Sequence, residues 1–346
     1  MKIYIVTQNF PPKLGGIQNV MFSIADDLSK LDHDVEVIPD HYCKSNLNFK
    51  ITNFILPKIF RSTIKKLFLN LVLDNNHLVI CDTWKSVRSV PMNFTNIVMF
   101  AHGQEYLNLK NKKRIFNNLL RVKFLIASSY YTLNLIKSNW DLTHLNSTVI
   151  YPTYHIKKKY EKLELKKNNK ITSFFSICRI EKRKGLIESL NAFYQVKKKG
   201  YNFVWNIIGN GPELEMLQNL TLKLKLNKNI FFHGEIKNSN IKFQFLRNSD
   251  VFIMPSFQDK FSIEGFGLSY IEAAQFGVPS IGGIKGGSAE AVINNQSGWC
   301  VNPHNQNLLI DIIIESITNK ILRQKLGNIA LNRFNKELNG NIALEN

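Results

Sequence analysis

The chain is predicted to fold as two successive α/β domains, each a doubly wound parallel sheet, facing a cleft. Three observations predict this. Apolar strand-like runs alternate with helical periodicity along almost the whole chain, as βαβ units require. The alternation begins twice, once at Lys2 and again at Ile171. Between the two series lie residues 156–170, IKKKYEKLELKKNNK, charged and nearly free of core residues, which read as a linker. The domains are accordingly placed at residues 1–160 and 161–346.

A chain of 346 residues is long enough for two domains of ordinary size, and a hydrophobic fraction of 44% provides both with cores. No apolar run approaches the roughly 18 residues that a membrane span needs. The first residues are too quickly polar for a secretory signal. Cys43, Cys81, Cys178 and Cys300 are scattered, with no C-x-x-C pair, no H-E-x-x-H and no histidine cluster. That usage points to a reducing, cytoplasmic compartment and away from structural zinc. Net charge is +19. Such an excess directs attention to nucleic acid, an anionic membrane or an anionic substrate. Residues 1–165 hold 22 basic and 12 acidic side chains, and the remainder 23 and 14. The charge is therefore spread, and a chain-wide richness in Lys, Asn, Ile and Phe accounts for part of it. No basic stripe interleaved with aromatics and no known nucleic-acid module is present, so no nucleic-acid partner is expected.

In chain order, residues 2–8 read as a buried parallel strand. The loop NFPPKLGG follows and ends in Gly15 and Gly16; a helix over 17–31 and a strand over 35–38 complete the first unit. The dinucleotide pattern G-x-G-x-x-G is absent, and a glycine pair there serves a phosphate or a plain turn equally well. Residues 56–73 form a basic amphipathic helix, with Ile59, Phe60, Ile64, Leu67, Phe68 and Leu71 on its apolar side. Lys58, Arg61, Lys65 and Lys66 are expected opposite. Such a helix covers a sheet and leaves a solvated face, or lies on an anionic membrane. Strands follow at 77–82 and 96–101, the second ending at His102-Gly103-Gln104-Glu105, where open α/β sheets bind ligands. Helix 111–122, strand 123–128, helix 130–140 and strand 148–150 close the first domain.

The second domain opens with strand 171–178, a loop carrying Arg179 and Lys184, and helix 185–198. Strand 203–208 runs into Gly209-Asn210-Gly211-Pro212, with Pro212 well placed before helix 213–224. Strand 229–233, helix 240–248 and strand 251–255 lead to SIEGFGLSYIEAAQFGVP, residues 262–279. Strand 278–281, a loop at 285–288, a short helix near 289–293, the segment 298–301 and helices 308–318 and 321–334 finish the chain.

The chemistry concentrates in two places. Glu264 and Glu272 flank Gly265, Phe266, Gly267 and Leu268 at the start of a helix. Glycines there admit a ligand close to the backbone, and free amides at a helix start favour an anion. The carboxylates would repel a phosphate but accept from sugar hydroxyls. A capped helix with two solvated glutamates fits the same residues. Arg179 and Lys184 offer two cations on one loop, suited to a diphosphate and to the charge that grows on it as it leaves. Lys182 and Arg183 beside them are adjacent candidates that fit a solvated face equally well.

Five stretches in this order resemble the retaining GT-B glycosyltransferases, which include sucrose synthases, phosphatidylinositol mannosyltransferases and many lipopolysaccharide and capsule transferases. They are F-P-P-x-x-G-G, H-G-x-E at His102, R-x4-K-G at Arg179, G-N-G-P at Gly209, and E-x7-E at Glu264 with A-x-x-x-G-x-P behind it. The resemblance implies the GT-B fold, with two Rossmann-like domains, the first binding acceptor and the second the nucleotide sugar. It implies a retaining, metal-independent transfer of a hexose from a GDP- or UDP-linked donor. The acceptor would be a glycan or lipid-linked hydroxyl in cell-surface polysaccharide or glycolipid synthesis. By the same likeness Arg179 and Lys184 bind the donor diphosphate, and Glu264 holds hydroxyls of the transferred sugar. Phe266, Gly267 and Leu268 offer amides, Gly209 and Gly265 line the donor, Glu272 binds the ribose, His102 contacts the donor sugar across the cleft, and Gly15 and Gly16 close over phosphates or acceptor. The enzyme would work in the cytoplasm or peripherally at the inner face of the plasma membrane. Two features depart from the pattern. Ala289 stands where the family commonly has proline, and the last helical region is short for a crossover back to the first domain. A nucleotide-sugar epimerase of the same fold, a basic nucleic-acid-binding protein and an inactive binding subunit are the competing readings.

Overall fold

A computed structural model describes residues 1–13, 15–44, 47–55, 57–143, 145–153, 171–236 and 238–340. The chain divides into two compact units, Met1–Pro152 and Thr153–Asn346. The expected linker and the expected boundary at 160/161 lie outside the described residues.

Unit 1 is a parallel sheet of β1 (Lys2–Thr7), β2 (Asp34–Pro39), β3 (Lys50–Ile51), β4 (Leu78–Cys81), β5 (Ile97–Ala101), β6 (Phe124–Ala127) and β7 (Asn146–Val149). Its order is β3-β2-β1-β4-β5-β6-β7. The period-two alternation of β1 explains why both faces are covered. Ile3 and Ile5 enter one core with Val35, Val37 and Ile80, while Tyr4 and Val6 enter the other with Val79 and Cys81. Burial on both sides is what makes parallel strands read as continuous apolar runs. The sequence reading missed β3, too short for a period, and the one-turn helix Trp84–Val87.

The helix after β3 corrects an expectation. It spans Arg61–Val72, and Lys65, expected on the solvated side, is 1% exposed. Leu67 and Leu71, expected inside, are 58% and 85% exposed. The reason is that the Lys65 ammonium finds acceptors below the helix: Asp40 Oδ1 at 2.5 Å, the Ile38 carbonyl at 2.9 Å and the Thr7 carbonyl at 3.4 Å. A buried charge with its donors used is tolerated where an unpaired one is not. Lys65 thereby ties the ends of β1 and β2, and the helix faces the sheet with Leu69, Phe68, Val72 and that lysine.

Unit 2 contains β8 (Thr172–Ile177), β9 (Phe203–Ile208), β10 (Ile230–Phe232), β11 (Val251–Ile253), β12 (Ser280–Gly283) and β13 (Gly298–Val301). They lie in the order β10-β9-β8-β11-β12-β13, all parallel. The order reverses between β8 and β11, so the loops leaving those strands diverge and open a crevice at their C-terminal ends. Those two loops are the ones that carry Arg179–Lys184 and Glu264. The last α-helix, Lys320–Arg333, packs in unit 2: Leu326 is in its core and Arg333 Nη1 donates to the Ala291 carbonyl at 2.9 Å.

Candidate active site

The loop after β8 is held on its backbone. The Ile180 amide donates to the Asn210 carbonyl at 2.9 Å, and the Glu213 amide to the Ile180 carbonyl at 3.2 Å. Gly209, expected at the donor, also makes this approach possible. Its φ is +141°, and a β-carbon there would stand 1.9 Å from the Cys178 carbonyl oxygen. From Lys182 to Lys184 the loop makes a single tight turn.

The outcome departs from the predicted pairing of Arg179 with Lys184. Arg179 is 72% exposed and rests on Glu181 Oε1 at 3.0 Å. Lys184 is buried and bonds Glu264 Oε2. Arg183, which the sequence leaves open between this role and a solvated one, is 13% exposed and donates to the same Oε2 at 2.8 Å. Its Nε also donates to Glu181 Oε2 at 3.2 Å. Two cations thus meet on one oxygen of Glu264, and Glu181 links Arg183 to Arg179. Burial would push the Glu264 carboxyl up, but the Lys184 ammonium and Arg183 guanidinium outweigh it and hold it down to about 2. Glu264 is therefore an anion at neutral pH.

Glu264 sits on the loop that follows β11. The Phe257 amide fastens this loop to the Arg183 carbonyl at 2.8 Å, and its other side is held by the Gly287 amide on the Glu264 carbonyl at 2.9 Å. Gly265, Phe266 and Gly267 lead into the short helix Leu268–Ala274, with Gly267 at its cap. Ser269 Oγ donates to the Ile177 carbonyl at 3.0 Å, pinning the helix start to the end of β8. Tyr270 donates to the Met254 carbonyl at 2.5 Å. Glu272 is buried on this helix and accepts from Lys242 Nζ at 2.6 Å. Lys242, on Ser239–Arg247, was not singled out from sequence. The requirement that a buried carboxylate find a cation could have prompted a search for it, but not its address.

In unit 1, His102 lies just past the end of β5. Its amide donates to Glu105 Oε1 at 2.8 Å, and its buried Nε2 has no partner among the described residues. Gly15 caps helix Gly16–Lys30. The preceding loop is organised by Asp82, at the end of β4, which sequence reasoning also missed. Its Oδ2 accepts from Thr7 Oγ1 at 2.9 Å, the Gln8 and Asn9 amides at 2.9 and 3.1 Å, and Asn9 Nδ2 at 3.0 Å. Strands β1 and β4 are the neighbours at which the unit 1 order reverses, so Asp82 shapes that crevice. Among the described residues no group of three or more His, Cys, Asp or Glu side chains could hold a metal ion. No helix among them is long and apolar enough to cross a membrane.

Residues 156–333, just over half the chain, match the family described as glycosyl transferases group 1. The chain belongs to that family. Its place among group 1 glycosyl transferases agrees with individual comparisons. CapM of Staphylococcus aureus, a capsular polysaccharide biosynthesis glycosyltransferase, is 28% identical over 191 residues, 55% of this chain and 47% of CapM. A GDP-mannose-dependent monoacylated alpha-(1-6)-phosphatidylinositol monomannoside mannosyltransferase of Corynebacterium glutamicum is 23% identical, covering 94% of this chain and 91% of its own. In several other relatives the chain likewise spans less than half of their length, down to 31%. Among solved structures, Anabaena HepE in complex with UDP-glucose superposes with a TM-score of 0.79 at 16% identity, covering all of this chain and 97% of HepE. At that identity the likeness establishes the fold alone, GT-B, with a Rossmann-like sheet in each unit.

Proposed function

We propose that this chain is a retaining, metal-independent glycosyltransferase that moves a hexose from a nucleotide-diphosphate donor to a hydroxyl acceptor. The observation that carries this reading is the meeting of Lys184 and Arg183 on Glu264 where the strand order of unit 2 reverses, in a chain of this family. A departing nucleoside diphosphate gathers negative charge, and a fixed cation in a partly dry site stabilises it. Lys184 is buried, charged and on a fastened loop, and so is suited to that task. Glu264, held ionised, accepts from hydroxyls of the transferred sugar. The Phe266, Gly267 and Leu268 amides donate to sugar and phosphate, Glu272 accepts from the ribose, and Arg179 approaches the diphosphate from the exposed rim. His102 and the Gly15–Gly16 turn serve the reacting groups in the acceptor-binding unit. With attack and departure on one face of the sugar, the bond to the acceptor oxygen forms as the bond to phosphate breaks. The leaving phosphate oxygen takes the acceptor proton, so no protein nucleophile is assigned.

HepE was solved with UDP-glucose and the Corynebacterium relative is named for GDP-mannose, which makes UDP- and GDP-sugars the first donors to try. The test is thermal denaturation against UDP-, GDP- and ADP-sugars, followed by turnover with and without EDTA. A donor at a hundred times its dissociation constant adds roughly 2.7 kcal/mol of stability. No stabilisation by any of them sinks the reading. Loss of turnover in EDTA that magnesium or manganese restores sinks the metal-independent mechanism. Conversion of the donor to an epimer with no acceptor present would favour the epimerase.

A second element of the proposal is contact with an anionic membrane, favoured by the exposed apolar side chains Ile59, Phe60, Leu67 and Leu71 beside the exposed Lys58. Apolar insertion and basic attraction act together at such a surface. Vesicle co-sedimentation should rise with anionic lipid, fall with salt and weaken in Leu67→Ser/Leu71→Ser. Indifference to both changes removes the membrane from the proposal.

A further inference from the structure

Glu264 raises a difficulty for the mechanism just described. Lys184 is bonded to Glu264 in the ligand-free chain, yet it is also the cation proposed for the leaving diphosphate. An ammonium drawn to the phosphate would leave a partly buried carboxylate without a counter-charge, and such a group neutralises itself by taking a proton. A protonated Glu264 would then hold the sugar hydroxyls as a different kind of partner. Arg183 removes the difficulty. It bonds the same oxygen at 2.8 Å, is itself anchored at 3.2 Å to Glu181, and its backbone carbonyl accepts from the Phe257 amide at 2.8 Å on the loop that carries Glu264. A planar, permanently charged guanidinium with two carboxylate partners is well suited to stay in place while a flexible ammonium moves.

We propose that Arg183 is a positioning residue of this site, keeping a cation on Glu264 so that Lys184 is free to serve the donor diphosphate. This rests on the nucleotide-sugar reading. The charged and titratable groups facing Glu264 are Lys184 and Arg183 in bonding contact, with Tyr270 and Cys178 near it and Glu181 behind Arg183. Tyr270 and Cys178 are both pushed upward by burial and stay neutral over the range from pH 4 to 8. The acid-side change is therefore that of Glu264 against its two cations. With Arg183 gone, Glu264 retains Lys184 only by keeping it from the diphosphate.

The experiment compares wild type, Arg183→Gln and Arg183→Lys, using calorimetric binding of UDP, GDP and ADP and turnover of the matching sugar, each from pH 4.5 to 8. Thermal melts establish that each variant is folded. Arg183→Gln is expected to bind the preferred nucleoside diphosphate at least tenfold more weakly at pH 7 and to show, above pH 4.5, an acid limb in kcat that the wild type lacks, because kcat reports the bound complex in which Lys184 has left Glu264. Arg183→Lys, which keeps the charge, should recover most of the pH profile and part of the affinity. If Arg183→Gln does not fold, the Lys variant still decides, because a purely steric role predicts no recovery of the profile. Wild-type affinity and a wild-type pH profile of kcat in Arg183→Gln would overturn this proposal and leave the enzyme reading standing. No binding of UDP, GDP or ADP by the wild type would overturn both.

Discussion

Replacing Gly287 by alanine tests whether the site depends on one backbone contact. Gly287 has an ordinary helical φ of −69°, so alanine costs nothing in conformation. The cost is contact. A β-carbon at Gly287 would lie 1.9 Å from the Gly265 carbonyl oxygen and 2.7 Å from the Phe266 α-carbon. Contacts under 3.0 Å are essentially never tolerated, so one of the two segments has to move. The required opening is about 1 Å, a displacement that costs on the order of a hundredfold when it misplaces catalytic groups. The Gly287 amide is also the donor to the Glu264 carbonyl, so the shift is carried straight to Glu264. Overpacking adds a stability loss of about 1–3 kcal/mol, roughly 3–10 °C in Tm for a domain of this size. The assay is kcat/KM with the donor selected by the stabilisation panel, beside thermal melts. Gly287→Ala should lose about a hundredfold in kcat/KM and melt several degrees lower. Unchanged kcat/KM would refute the reasoning even if the melt shifted, because the contact would then hold the fold without setting the position of Glu264.

Three further outcomes are expected. Glu264 has a folded pKa of about 2 against an ordinary 4.5, so its stabilisation is present above about pH 4.5 and is lost as pH falls towards 2. That lowering corresponds to roughly 3 kcal/mol, shared between two cations. Lys184→Met should therefore be destabilised by about 1–2 kcal/mol at pH 7 in denaturant titrations, with the two proteins converging as pH approaches 2; a gap that persists there would show the effect is not ionic. Lys65→Met should destabilise unit 1 by about 3–5 kcal/mol by stranding Asp40, while Lys58→Met stays within about 0.5 kcal/mol; equal effects would contradict the buried assignment. Ala289→Pro should be accepted within about 1 kcal/mol and keep its activity, because position 289 lies in the first turn of helix Ser288–Ala291 and its amide donates to no carbonyl among the described residues. Loss of the fold in that variant would show that the loop differs in shape from the proline-bearing pattern.

The sequence alone determined the architecture. Two series of apolar runs separated by helical periods permit little besides two doubly wound sheets, because a parallel strand must be covered on both faces and its run of apolar residues shows it. That Glu264, Lys184 and His102 lie past strand ends was legible because apolar runs show where strands stop, and ligands in such sheets gather there. Which cation meets which carboxylate was not legible. A linear reading cannot tell which of Arg179, Arg183 and Lys184 turns inward; in the fold Arg183 and Lys184, on the tight turn, both reach Glu264, while Arg179, ahead of it, stays exposed on Glu181. Lys242 and Glu272 are thirty residues apart, and Asp82 lies far along the chain from the loop it organises. Helical periodicity even assigned Lys65 to the wrong side, because a period records hydrophobicity and is blind to the carbonyls of Ile38 and Thr7 waiting beneath. Sequence patterns report the average preference of each residue for water. Charge pairing inside the fold depends on distances of a few ångströms between groups remote in the chain, and those the tertiary structure alone decides.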